Sequence, residues 1–243
     1  MLNAAIKEIF ICSRNRYGAP KIQKALAAQG NNVSIKCVQR HMSEMGLKSI
    51  VIRKWNHYSA NNKVEEKENI IKQDFSAENI NEKWCTDITY IYTVQDGWTY
   101  LASVMDCYSK KIIGWSYSKS MTTEMALDAV KKAILNVKPS GKIILHSDLG
   151  SQYTSRLFEA YLAERNIVHS FSRKGCPYDN ACIESFHSIL KKEEIHHKKY
   201  HDFKEAYNAI FEYIESWYNR KRIHSSIGYL TPDAVHKAAF VRI

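Results

Sequence analysis

Three carboxylates in this 243-residue chain occupy places where structure alone seldom needs one. Asp87 lies inside residues 83–93 (KWCTDITYIYT), a run rich in β-branched and aromatic residues. Strand interiors disfavour aspartate, so its presence there suggests a task. Asp148 follows the short apolar run 143–145, in HSDLGSQ. In sheets flanked by helices, active sites gather at such strand C-terminal ends. Glu184 lies in a helical stretch opened by Asp179, Asn180 and Ala181. Converging carboxylates crowd negative charge, which is costly without a cation. Their hard oxygens suit Mg²⁺, which retains waters and substrate phosphates. Two such ions about 3.5–4 Å apart can activate a nucleophile and stabilise a leaving oxygen in an in-line displacement. The competing reading makes these acids caps or surface charges.

Other residues compete for the same chemistry. Asp106 also sits at a strand end, and Glu193 and Glu194 lie more than two helical turns past Glu184. His146 and His187 flank the acids and could contact phosphate or water, or simply pack. His196, His197 and His201 suggest zinc, but no cysteine pair stands at finger spacing beside them. The six cysteines form no CxxC pair, and the chain opens with no secretory signal. Free or buried thiols in a reducing cytoplasm are therefore expected rather than a disulfide framework.

Elements must bring the acids together. At about 100° per residue, Ile183, Phe186, Ile189 and Leu190 share one side of the Glu184 helix. Asn180, Glu184, His187, Ser188 and Lys191 share another, free to look along a sheet toward the aspartates. Upstream of that helix the order reads β-β-β-α-β-α-β. Asp96-Gly97 marks a hairpin turn, and residues 122–136 form an amphipathic helix. Residues 203–219 carry seven large apolar side chains at helical spacing, predicting one long packed helix.

Length allows one sizeable core and a small accessory domain. No apolar run is long enough to span a bilayer. The formal net charge is +10, with residues 1–62 contributing +8, residues 63–78 −2, and the remainder close to balance. Such an excess points to a polyanion, with nucleic acid the first candidate. Residues 1–62 read as short helices around Gly30, with Pro20 opening one and Ser34 capping the next. Ile35, Val38 and Met42 would face inward, leaving Lys36, Gln39 and Arg40 outward, as in a helix-turn-helix. Residues 63–78 read as a polar helical linker. The basic run Arg220, Lys221, Arg222 and His224 offers a second backbone-contacting patch.

The words RYGAPKI, WCTDITY, VMDCYSKKIIGW, HSDLGSQYTS, KGCPYDNACIESFHSILKKEEI and YNRKRIHSSIGYLTP span about residues 10 to 233. Together they resemble DDE transposases and retroviral-type integrases, specifically the second-frame (OrfB) protein of the insertion-sequence-three family. Asp148 and Glu184 have 35 residues between them, which matches that family's D-D-35-E pattern.

The resemblance implies an α/β fold: an RNase H-like mixed sheet flanked by helices, preceded by the helix-turn-helix module. The expected limits are 1–62 for the module, 63–80 for a linker, 81–200 for the catalytic core and 201–243 for a helical tail packed on it. It implies a transposase whose Asp87, Asp148 and Glu184 hold Mg²⁺, two ions with Mn²⁺ able to substitute. Water would free a 3′-OH at the element's end, and that 3′-OH would attack a second phosphodiester. Lys191 matches a basic position near the DNA end, and Asn180 lies one turn before Glu184. Lys36, Gln39, Arg40, Arg220 and Arg222 complete the expected DNA contacts. An OrfA-type upstream-frame partner, self-association on DNA and a cytoplasmic location are implied as well. The alternatives are an RNase H-type nuclease, which needs neither the basic module nor the tail, and a DNA-binding regulator, which needs no acid trio.

Overall fold

The computed structural model describes residues 2–51 and 67–241. Three helices open the chain: α1 (Leu2–Cys12), α2 (Ala19–Ala28) and α3 (Ile35–Glu44). Pro20 lies in the first turn of α2, where its missing N–H costs nothing. The Ser34 hydroxyl accepts from the Cys37 N–H and starts α3. Ile6, Ile22, Leu26 and Val38 are fully buried between the helices. Ile35 departs from expectation: at the first position of α3 it is 46% exposed, beyond the reach of α1 and α2.

The following segment is not the helix its polarity suggested. Residues 63–66 lie outside the described residues, and 67–80 run as turns and extended chain. Tertiary pairing overrides local propensity there. The Phe171 N–H donates to the Glu68 carbonyl, and the Ile70 and Ile71 N–H groups donate to the Ser170 hydroxyl. Ile71 and Ile80 are buried.

A five-stranded sheet follows: β1 (Lys83–Thr93), β2 (Gly97–Asp106), β3 (Ile112–Ser118), β4 (Ile143–Ser147) and β5 (Ile167–Phe171). The spatial order is β3-β2-β1-β4-β5. The first three strands are antiparallel, and β4 and β5 add in parallel beside β1. Gly97, at φ +70°, supplies the left-handed residue that closes the first hairpin. Helices α4 (Thr123–Val137) and α5 (Arg156–Glu164) cover one face over Trp84, Val104 and Leu145. Contact between α4 and β3 is close: a Cβ on Gly114 would lie 2.3 Å from the Ala129 carbonyl oxygen.

Helix α6 (Ala181–Glu193) covers the other face, which carries Cys85, Leu101 and Met105. The tail begins at α7 (Phe203–Phe211). The backbone then widens into a π-helical segment, Glu212–Tyr218, where one α-helix was expected. That widening brings Tyr213, Ile214, Trp217 and Tyr218 to one buried side. Helix α8 (Pro232–Phe240) is the last element. The Val94 and Gln95 N–H groups donate to the Tyr200 and His201 carbonyls, fastening the tail to the β1–β2 turn. Ile6, Phe10 and Tyr17 of the N-terminal module join the same apolar cluster as Phe186, Ile214 and Trp217.

Candidate active site

The strand register brings the two aspartates together. Cys85 of β1 stands beside His146 of β4 in parallel pairing. Two residues further along are Asp87, still within β1, and Asp148, just past the end of β4, so the two acids lie near each other where the shorter strand stops. Helix α6 supplies the third. The Asn180 side-chain amide donates to the Thr86 carbonyl at 3.3 Å, tying the helix start to β1. Glu184 lies one turn later. Asp87, Glu184, His187, Ser188 and Lys191 line one cleft of about 570 Å³.

Electrostatics records the convergence. Burial pushes the Asp148 carboxyl up to about 6, and the Asp87 charge adds to the rise. The Gly150 N–H, 3.0 Å from Asp148 Oδ1, opposes it. Burial also raises Glu184, aided by Asp87 and then Asp148. Burial lowers Lys191, while Asp87 pulls it back toward the charged form. Asp87 is thus near enough to disfavour ionisation of Asp148 and Glu184, the condition that a cation relieves. An all-oxygen donor set with one side open to the cleft fits a hard divalent ion.

His187 Nδ1 lies 3.3 Å from Asp87 Oδ2, and its Nε2 lies 3.3 Å from the Ser103 hydroxyl. Sequence placed His187 only near the site; the structure sets it against the Asp87 carboxylate within the same cleft. His146 has another role. It is buried, with its ring nitrogens 2.9 and 3.1 Å from the Ser170 and Ser172 hydroxyls, and so joins β4 to the end of β5. Asp106 is structural: fully buried, it accepts from the Asn81 N–H and from the Ser109 N–H and hydroxyl.

The expected DNA contacts divide. Lys36, Gln39 and Arg40 are exposed along α3, with Arg40 3.9 Å from Glu44, and Arg220 is exposed. Lys191 is half-buried in the cleft. Asn180 is buried, and its Oδ1 has no hydrogen-bond partner. Arg222 must be corrected. Its side chain is 8% exposed and grips Glu193 through Nε and Nη2 at 2.9–3.1 Å. The chain turns after the π-helical segment and carries Arg222 inward onto Glu193, where its guanidinium is already occupied.

Glu193 and Glu194, more than two helical turns past Glu184, serve this second assembly. Glu193 also accepts from the Tyr213 hydroxyl and the Trp217 indole N–H. Burial raises its carboxyl, but Arg222 outweighs that and holds it below the ordinary range. Arg16 reaches across from the N-terminal module to the Glu194 carboxylate at 2.6 Å and the Glu193 carbonyl at 3.2 Å. Its guanidinium lies over the Trp217 and Tyr213 rings at 4.8 and 5.2 Å.

Comparison with known proteins agrees with this architecture. Models described as "Integrase core domain" match residues 77–177 and 165–232, and one described as "HTH-like domain" matches residues 2–55. A chain of the simian T-cell lymphotropic virus intasome, solved in complex with PP2A regulatory subunit B56 gamma, shares the fold. Its TM-score is 0.56 at 16% identity, covering 88% of this chain and 70% of that one. Fold and domains define a DDE-type polynucleotidyl transferase of the RNase H-like class, preceded by a helix-turn-helix-like module. The chain is 40% identical over 233 residues to transposase InsF for insertion sequence IS3A of Escherichia coli (strain K12), covering 95% of this chain and 80% of that protein. It is 39% identical over 238 residues to the transposase for insertion sequence element IS904 of Lactococcus lactis subsp. lactis (strain IL1403), covering 98% and 94%. The chain belongs to the IS3-family transposases, and its activity is in DNA transposition.

Proposed function

We propose that Asp87, Asp148 and Glu184 are the catalytic, metal-holding residues of this transposase, with two Mg²⁺ ions as the natural complement. The observation that carries this reading is the convergence of the acids: β1 pairs with β4 up to Cys85 and His146, two residues before Asp87 and Asp148, and the charges of both aspartates are felt at Glu184. When bound, the ions supply Lewis-acid charge for activating a hydroxyl and for the leaving oxygen. The chain's own residues do the positioning. Asp87 is oriented by His187, and Asp148 by the Gly150 N–H. Lys191 offers positive charge to a phosphate entering the cleft. Phosphodiester hydrolysis at the element's end leaves a 3′-OH, which becomes the nucleophile of strand transfer. Neither step needs a covalent protein intermediate.

The exposed cations Lys36 and Arg40, with the neutral amide Gln39 between them, support a reading of α3 as the DNA-gripping helix, with Arg220 as a separate backbone contact. An OrfA-type partner, self-association on DNA ends and a cytoplasmic location complete the proposal on the strength of the family. The test uses end-containing DNA and Mg²⁺. Asp87→Asn, Asp148→Asn and Glu184→Gln are each expected to abolish end cleavage and strand transfer while binding persists. Robust turnover by any one of them would remove that residue from the triad.

A further inference from the structure

The acids are not the tightest set of potential metal ligands here. Among the described residues, one trio of ligand atoms closes to within 4.8 Å: the sulfurs of Cys85, Cys107 and Cys182. They come from β1, the residue after β2, and α6. Cys85 and Cys107 are buried, with their sulfurs 3.2 Å apart. Cys182 is partly exposed, and a fourth sulfur, that of Met105, lies 3.7 Å from it. Lys110 places its ammonium 3.6 Å from the Cys182 sulfur. A cleft of about 300 Å³ lined by Met105, Lys110, Cys182 and Phe186 gives access from solvent.

We propose that Cys85, Cys107 and Cys182 form a site for one thiophilic divalent cation of the zinc type, separate from the carboxylate site. Metal–sulfur bonds of about 2.3 Å set tetrahedral ligand sulfurs about 3.8 Å apart. The 3.2 Å between the Cys85 and Cys107 sulfurs is shorter than that value and all three sulfurs lie within 4.8 Å of one another, so small side-chain rotations suffice to reach it. Binding displaces the thiol protons to solvent. Three thiolates around a dication leave one net negative charge, and Lys110 is placed to offset it. Met105 or a water from the cleft completes the fourth position. Soft sulfur selects such a cation over Mg²⁺, so the two sites sort metals by ligand chemistry. The competing explanation is three small apolar side chains packed together, as buried cysteines often are.

Co²⁺ is the discriminating probe, because carboxylates give it no thiolate charge-transfer absorption. The full chain, metal-stripped and reduced with a phosphine, is expected to bind one equivalent with that absorption. Cys12→Ser/Cys37→Ser/Cys176→Ser is expected to retain the band and Cys182→Ser to lose it. Absence of the band in the parent chain, or its survival in Cys182→Ser, would overturn the site. A second measurement needs no variant. Zn²⁺ should slow alkylation of Cys182 in the parent chain about tenfold or more, since ligation removes the reactive thiolate. Unchanged alkylation of Cys182 at saturating Zn²⁺ would also overturn it.

Discussion

His187 lines the cleft one turn after Glu184 on the same helix and stands 3.3 Å from Asp87, so it is placed to orient that carboxylate. Partners that orient a metal-binding carboxylate typically contribute about 10–100-fold in metal affinity or activity. His187→Ala is therefore expected to raise the Mg²⁺ concentration for half-maximal cleavage, with partial rescue at high Mg²⁺; an unshifted Mg²⁺ titration would show that His187 only packs. Arg220 and Arg222 make a matched pair of probes. Arg222→Ala strands the buried Glu193 charge and should cost about 3–5 kcal/mol of stability, measured by denaturant unfolding. Arg220→Ala, on an exposed side chain, should leave stability nearly unchanged and weaken DNA binding in a salt-dependent way. Of the proposed acid trio, Asp87 stood out in the sequence because a strand interior disfavours aspartate, whereas Asp148 and Glu184 were singled out by their places after an apolar run and in a helix and by the 35-residue spacing of the family pattern. Arg222 was misread because a basic run looks the same whether its members face water or a buried glutamate. The cysteine trio was invisible because its members come from three elements, and only the strand register and the seating of α6 bring them together.

At the scale of elements, propensity located the five strands, and tertiary contacts decided the exceptions. The polar segment before β1 gave up helix to bond its backbone to the end of β5. The expected tail helix widened into a π-segment to bury Tyr213, Ile214, Trp217 and Tyr218 together. Neither outcome is written in residue spacing, since each depends on what the segment packs against. The α4–β3 contact gives a direct test. Gly114→Ala places a Cβ against the α4 backbone at Ala129 and Ala133, where no side chain can swing away. Overpacking of this kind costs about 1–3 kcal/mol, occasionally more. A lowered thermal midpoint is expected; an unchanged midpoint would mean that α4 can lift off the sheet without cost.

For the whole molecule, two half-buried histidines tie stability to pH. Burial pushes His169 down to about 3, with Lys67 and His146 adding to the effect. Burial likewise pushes His224 down to about 4, with Arg222 and Lys21 assisting. The unfolded chain protonates these rings near their ordinary value of about 6.5, whereas the folded chain leaves them neutral until lower pH. Their contribution is therefore complete above about 6.5 and is lost progressively as pH falls toward 4 and 3. The urea midpoint should drop across that window, and His224→Asn should flatten part of the slope. The sequence assigned most of the positive charge to residues 1–62 but could not show how that module meets the rest. Arg16 answers this, seated on Trp217 and held by Glu194. The consequence is one of measurement. On the proposed reading, in which α3 grips DNA and the carboxylate cleft cuts it, the buried side chains that clamp the two together make them a caliper. The number of base pairs between the site held and the bond broken is then set by side-chain packing.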